Sequence, residues 1–228
     1  MSKLKIVCIS DTHCQLNKIK IPDGDILFHS GDATYSGTLQ EVNAFAQHMK
    51  QLTGFSYKIF IPGNHDFLFE TNPSLSKEIL DSAGVQTLIN ESTEICGLKI
   101  YGSPITPKFG NWAFMLDKKS PGIKEHWKQI PSDIDILLTH GPAYGILDYL
   151  PNFDRVGCTE LYLEMLRFHN LKMHVFGHIH YSYKAKQGYG GCWFVNAASC
   201  DEDYQPINKP FVFEYDTIDK TLTLINES

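Results

Sequence analysis

The chain has 228 residues, enough for one sizeable domain spanning 1–228 with its own core. Hydrophobic residues make up 43% and charged residues 20%, a globular composition, and no stretch approaches the roughly 20 apolar residues that span a membrane. With 26 acidic against 20 basic residues the formal charge is -6, which argues against long nucleic acid as a partner. Small phosphorylated ligands stay open, because bound metals would reverse the local field.

Taken in chain order, the apolar segments alternate between strand-like and helix-like patterns. Residues 4–9 form a short apolar run, too short for a signal-peptide core, that ends at Ser10 and Asp11. Residues 25–29 form a second strand, ending at Gly31 and Asp32. Residues 38–52 read as a helix: Thr38 and Glu41 have capping-box spacing, and Val42, Phe45, Ala46 and Met49 make its stripe. A third strand at 57–61 runs into Gly63, Asn64, His65 and Asp66. Asn72 and Pro73 open a second helix.

Residues 86–102 read as a β-ribbon turning near Cys96 and Gly97. Ser120 and Pro121 start a third helix. A strand at 134–138 ends at His140, and a helix at 158–168 keeps Leu161, Met165 and Phe168 in register. Another strand at 172–176 ends at Gly177 and His178. Strands at 193–196, 211–215 and 222–225 complete the set, the last two joined by a turn over 216–220. The pattern is α/β in class, with two packed sheets flanked by helices. No repeat, charge block or low-complexity linker marks a domain boundary. The six cysteines include no C-x-x-C pair, which points to a reduced, cytoplasmic setting.

Five strands thus end in a polar cluster. Ligands of α/β sheets gather at the carboxyl ends of strands, so five loops can converge on one site. Asp11, His13, Asp32, Asn64, His140, His178 and His180 supply seven oxygen and nitrogen ligands suited to Zn, Mn or Fe. That is more than one ion needs, so two ions sharing a bridging carboxylate are expected. Residues i and i+2 of extended chain point the same way, so Asp11 with His13, and His178 with His180, can each face one ion. Two ions some 3.5–4 Å apart can clamp an in-line phosphoryl displacement.

These clusters, in this order over residues 11 to 180, resemble the calcineurin-like metallophosphoesterases. The resemblance implies a four-layer αββα sandwich. It implies that Asp11, His13, Asp32 and His180 hold one metal, and Asp32, Asn64, His140 and His178 the other, with Asp32 bridging. It makes His65 the catalytic residue facing the leaving group, as general acid or as a donor to the phosphate, and Asp66 the residue that orients it, with a metal-bridging hydroxide as nucleophile. Further likeness at His140–Ala143, Arg155–Cys158, His174–His180, Asn196–Ser199 and Gln205–Pro210 is to the small metallophosphodomain branch, related to class III cyclic-nucleotide phosphodiesterases. Some animal members of that branch have Gly where this chain has His178.

The expected activity is therefore a metal-dependent phosphoric ester hydrolase, favouring small phosphodiesters or cyclic nucleotides. The alternatives are a phosphomonoesterase for protein or small molecules, a nuclease of the same fold, and a non-catalytic metal-binding scaffold. Other residues read more plainly. His29 is strand-end packing, and His48, His126, His169 and His174 are surface or packing residues. Cys14 is a neutral thiol near the site. Tyr35, Trp112, Phe114 and Tyr144 are core aromatics first and base-stacking candidates second. The Phe67–Phe69 run reads as core or site wall, and Asp201 to Asp203 as a solvated acidic turn. For Arg155, in the loop with Asp148 and Asp154, a salt bridge and a substrate contact stay equally open.

Overall fold

Side-chain alternation along the first strand sets the layering of the computed structural model, which describes residues 3–225. In β1 (Lys3–Ile9), Ile6 and Cys8 point into one apolar cluster, and Val7 and Ile9 into another. The remaining strands, in chain order, are β2 (Ile26–His29), β3 (Tyr57–Phe60), β4 (Gln86–Thr87), β5 (Glu91–Ile95), β6 (Leu98–Ser103), β7 (Thr106–Pro107) and β8 (Met115–Leu116). They continue with β9 (Ile136–Thr139), β10 (Met173–Phe176), β11 (Lys184–Gln187), β12 (Trp193–Asn196), β13 (Phe211–Asp216) and β14 (Thr221–Leu224).

One six-stranded sheet has the order β14-β13-β1-β2-β3-β4 and the other β11-β12-β10-β9-β6-β5. In each sheet four strands run parallel: β1 to β4 in the first, and β6, β9, β10 and β12 in the second. Antiparallel strands close the edges that carry β13 and β14, β11, and β5. The inner faces meet through Ile6, Phe28, Ile59, Ile100, Leu138 and Val175. Ser10, just past β1, bridges to Ala198, just past β12, and stitches the two sheets together where the functional loops emerge.

Helices cover both outer faces. On the first sheet lie α1 (Leu39–Gln51), α2 (Phe67–Thr71) and α3 (Pro73–Ser82), packed through Val42, Phe45, Met49, Phe69 and Leu80. Both halves of the expected capping box form: the Thr38 hydroxyl accepts from the Glu41 N–H, and Glu41 Oε2 accepts from the Thr38 N–H. On the second sheet lie α4 (Pro121–Trp127) and α5 (Thr159–Met165), packed through Ile123, Trp127 and Leu161. The result is the four-layer αββα sandwich that the resemblance implied.

Several local readings need correction. Residues 86–102 are not one ribbon: β4 pairs with β3 in the first sheet, and only β5 and β6 form the hairpin, turning at Cys96 and Gly97. Residues 67–69 are core as expected, with Phe69 buried and Phe67 and Leu68 packed beside it, and they lie in a short helix of their own. Strand β11 carries no strand signal in the sequence, because Lys-Ala-Lys-Gln is mostly polar and sits at a sheet edge. The helix expected at 158–168 is shorter, ending at Met165.

Candidate metal centre

All seven candidate ligands gather where the parallel strands end. Asp11 and His13 follow β1, Asp32 follows β2, and Asn64 follows β3. From the other sheet, His140 follows β9, and His178 and His180 follow β10. Asp11, His13 and His180 place one ligand atom each within 4.8 Å of one another, as do Asp32, His140 and His178. A third such group, His13, Asp32 and His65, joins the two.

Asp32 is the hub. Its Oδ2 lies 3.2 Å from His140 Nε2, 3.9 Å from His13 Nε2 and 4.0 Å from His65 Nε2. Its Oδ1 accepts the His65 backbone N–H at 2.8 Å. Asp11 Oδ1 lies 3.3 Å from His180 Nε2, and both Asp11 oxygens accept the His178 N–H at 3.0 Å.

The imidazoles are oriented from behind by main-chain carbonyls. Nδ1 of His13 faces Thr34 O at 3.2 Å, that of His140 faces Ser30 O at 2.9 Å, and that of His180 faces Asp201 O at 2.8 Å. A carbonyl only accepts, so each Nδ1 carries the hydrogen and each neutral ring turns the Nε2 lone pair inward. His13 Nε2 is buried and, among the described residues, has no hydrogen-bond partner. His140 Nε2 faces two acceptors, Asp32 Oδ2 and Asn64 Oδ1, the latter at 2.9 Å. Converging lone pairs of this kind repel unless a cation sits among them, so the donor set fits divalent metal ions.

Without a cation, protons take that place. Burial disfavours a charged His140, but the Asp32 carboxylate outweighs it and raises the imidazole to about 9. Burial works to raise Asp11, yet the hydrogen bond and charge of His180 hold it down to about 2. Asp32 is likewise held well below the usual range, with His140 overcoming burial. Burial pushes His13 down to about 4 and His178 to about 3. These two rings are neutral at pH 7, the form that binds metal.

The backbone is bent sharply to bring these groups together. Asp11, His13, Asp32 and His178 all take positive φ, at 50°, 38°, 54° and 68°. The extended i, i+2 geometry expected from spacing is therefore corrected. Asp11 and His13 converge through left-handed turns, and His178 and His180 belong to different groups. Gly177 is needed for close approach, since a Cβ there would stand 1.8 Å from Asp11 Oδ2.

His65 stands beside the hub, with Nδ1 on Tyr35 O at 2.7 Å and Trp112 over its ring at 4.4 Å. Asp66 does not orient His65, contrary to the resemblance. Its carboxylate accepts N–H groups of Gly63 at 2.7 Å, Thr34 at 3.0 Å and Ala33 at 3.3 Å, and the Thr34 hydroxyl at 2.7 Å. It ties the loop after β2 to the loop after β3. Burial, then the charge of Asp32, push it up to about 6.

His29 does more than pack between Phe45 and Phe60: its Nδ1 accepts from the Gly31 N–H, so its Nε2 donates to Thr12, joining the first two loops. Among the aromatics, Phe114 is core, while Tyr35 and Trp112 line the site. Arg155 forms a salt bridge with Asp148 at 3.0 Å. The Cys14 thiol, raised to about 11 mainly by desolvation, stays protonated. The acidic turn is solvent-exposed at Glu202 and Asp203 as expected, and it also walls the site: the Asp201 carbonyl anchors His180, Glu202 lines the cavity, and the Tyr204 ring lies 4.7 Å from His13. An aromatic beside an acidic run gives no sequence signal for this. The cavity over the centre is about 290 Å³.

Comparison with known proteins agrees with this geometry. The family model described as "Calcineurin-like phosphoesterase" matches residues 4–182. The chain is 37% identical to human "Metallophosphoesterase domain-containing protein 1", covering 93% of this chain and 71% of that one. A Caenorhabditis elegans relative is 36% identical over 93% of this chain and 81% of its own. The crystal structure of the protein TT1561 from Thermus thermophilus superposes with a TM-score of 0.61 over 98% of both chains, at 14% identity, a likeness of fold.

Proposed function

This chain belongs to the calcineurin-like phosphoesterase family, and we propose that within it the protein is a phosphodiesterase with a two-metal centre, acting on small substrates such as short diesters or cyclic nucleotides. The observation that carries this reading is the position of Asp32, whose carboxylate faces both ligand groups. Asp11, His13, Asp32 and His180 would hold one ion, and Asp32, Asn64, His140 and His178 the other. Mn, Fe and Zn all suit this mixture of oxygen and imidazole donors. When bound, two adjacent cations concentrate positive charge on the phosphate oxygens and acidify water.

The chain's own residues divide the remaining work. His65 is held at Nδ1 by Tyr35 O, so its Nε2 points over the centre. When protonated, that Nε2–H can donate to the leaving oxygen. Trp112 packs over His65 and shields it from water on that side. Glu202 and Tyr204 line the same cavity.

A diester is favoured because the centre opens sideways as well as upward. Phe109, Leu150, His178 and Ile179 line both the site cavity and a neighbouring one of about 630 Å³, leaving room for a second substituent on the phosphate. No helix among the described residues is long and apolar enough to cross a membrane, and the six cysteines are all free thiols. Free thiols support a reducing, cytoplasmic setting.

The discriminating assay compares Mn-loaded protein on bis-p-nitrophenyl phosphate and on p-nitrophenyl phosphate. Higher kcat/KM on the diester supports the reading, and a preference for the monoester would replace it with a phosphomonoesterase. No turnover of either, with metal bound, would leave a non-catalytic scaffold.

A further inference from the structure

We propose that the groove beside the metal centre binds a second anionic group of the substrate, which makes the preferred substrate a short, dinucleotide-like diester with a further phosphate. The inference rests on the phosphodiesterase reading and narrows its substrate class.

The groove is the 630 Å³ cavity that shares Phe109, Leu150, His178 and Ile179 with the site. A cavity of this size accommodates a nucleotide-sized group. The short β7–β8 ribbon builds its basic edge. Lys108 follows β7, its N–H bonded to Leu116 O at 2.8 Å, and Lys118 and Lys119 follow β8. The Lys119 N–H donates to Asp117 Oδ1 and fixes that turn.

Some lysines of this chain are neutralised by a carboxylate and, among the described residues, these three are not. Lys3, Lys77, Lys99, Lys128 and Lys172 each pair with a carboxylate. Among the described residues, none is found paired with Lys108, Lys118 or Lys119. Arg155 also lines the groove but is bound to Asp148 and Tyr149. Glu160 is the one carboxylate among the lining residues. An unpaired cationic edge on a chain of net charge -6 is a local feature, opposite in sign to the whole.

The facing surface is apolar, with Pro142, Tyr144, Leu150 and Val156. Phe109 stands at the divide, its ring 5.2 Å from His178. A diester held at the metals would pass its second arm beside Phe109, lay a flat base on the apolar wall and bring a further phosphate to the lysines. A cyclic mononucleotide has one phosphate, which the centre would occupy, and would leave the lysines without a partner.

The test uses the Mn-loaded 228-residue chain and three thymidine dinucleotides: one without a terminal phosphate, one with a 5′-phosphate and one with a 3′-phosphate. The expected result is that one phosphorylated form has kcat/KM on the order of tenfold above the bare form, since three solvated ion pairs are each modest. In Lys108→Gln/Lys118→Gln/Lys119→Gln that ratio falls towards one. A ratio cancels any change in turnover common to both substrates. Calorimetric binding of thymidine 3′,5′-bisphosphate against both monophosphates checks the preference without catalysis. Equal kcat/KM for all three dinucleotides, or a preference that survives the triple substitution, would overturn the proposal. Absent turnover of bis-p-nitrophenyl phosphate would instead remove the phosphodiesterase reading beneath it.

Discussion

Asp32 Oδ2 and His140 Nε2 meet at 3.2 Å, although Asp32 follows a strand of one sheet and His140 a strand of the other. Both side chains are buried, so neither finds water as a substitute partner. Their meeting point is where the two sheets must agree on the position of a cation. Changing either residue should therefore affect metal before it affects fold.

Asp32→Asn preserves shape and removes the shared charge. Substitutions that merely orient ligands weaken metal binding by about 10–100-fold, so loss of the hub should reach the upper end or beyond. Metal analysis after dialysis should show both positions depleted. Retention of a full complement would show that Asp32 does not bridge.

His65→Ala removes the ring that faces the centre from above. The expected loss in kcat is on the order of 10²–10⁴, with metal content and KM little changed. The Asp11, His13 and His180 group and the Asp32, His140 and His178 group stay intact in this variant. Metal loss on a par with Asp32→Asn would make His65 a ligand instead.

Asp66→Asn tests the corrected role of Asp66. The carboxylate accepts four hydrogen bonds while wholly buried, and an amide NH₂ would face donors on one side. Chemical denaturation should show a loss of about 1–3 kcal/mol in the metal-free protein. A variant of unchanged stability with reduced kcat would restore a direct role in catalysis.

Gly177→Ala should act on one half of the centre. The added Cβ would overlap Asp11 Oδ2, and Asp11 belongs to the group with His13 and His180. Metal titration should lose one class of site and keep the other. Two sites of unchanged affinity would contradict the close packing of Gly177 on Asp11.

His174 provides a pH test away from the ligands. Burial lowers its pKa to about 3, against an unfolded value near 6.5. Its contribution is fully present above pH 6.5 and is lost as pH falls towards 3, because the unfolded chain takes up the proton first. Within that window His174 alone should add a slope of about 1.4 kcal/mol per pH unit to metal-free stability. His174→Leu should flatten the curve by that amount, and an unchanged slope would show that His174 is protonated in the fold.

Much of this is legible in the sequence. Apolar runs ending in Asp, Asn or His mark β1, β2, β3, β9 and β10, because buried parallel strands need continuous apolar sequence and the polar ends must serve something else. The Thr38–Glu41 box placed the start of α1 for the same kind of local reason. What stayed hidden is carried by main chain or by context. The carbonyls of Ser30, Thr34, Tyr35 and Asp201 that orient the rings have no side-chain signature. Left-handed φ at Asp11 and Asp32 is imposed by packing against the neighbouring loops, so spacing alone suggested extended chain. Tyr204 reaches the site only because the turn from Asp201 to Gln205 folds back under His180.

Hydrolysis by this chain should depend on a shared two-metal centre. The most direct test is turnover of bis-p-nitrophenyl phosphate by metal-stripped protein titrated with Mn²⁺, with bound metal measured on the same samples. No turnover without metal and a plateau near two equivalents per chain are expected. Turnover that persists in the stripped protein, or none when two equivalents are bound, would contradict that dependence.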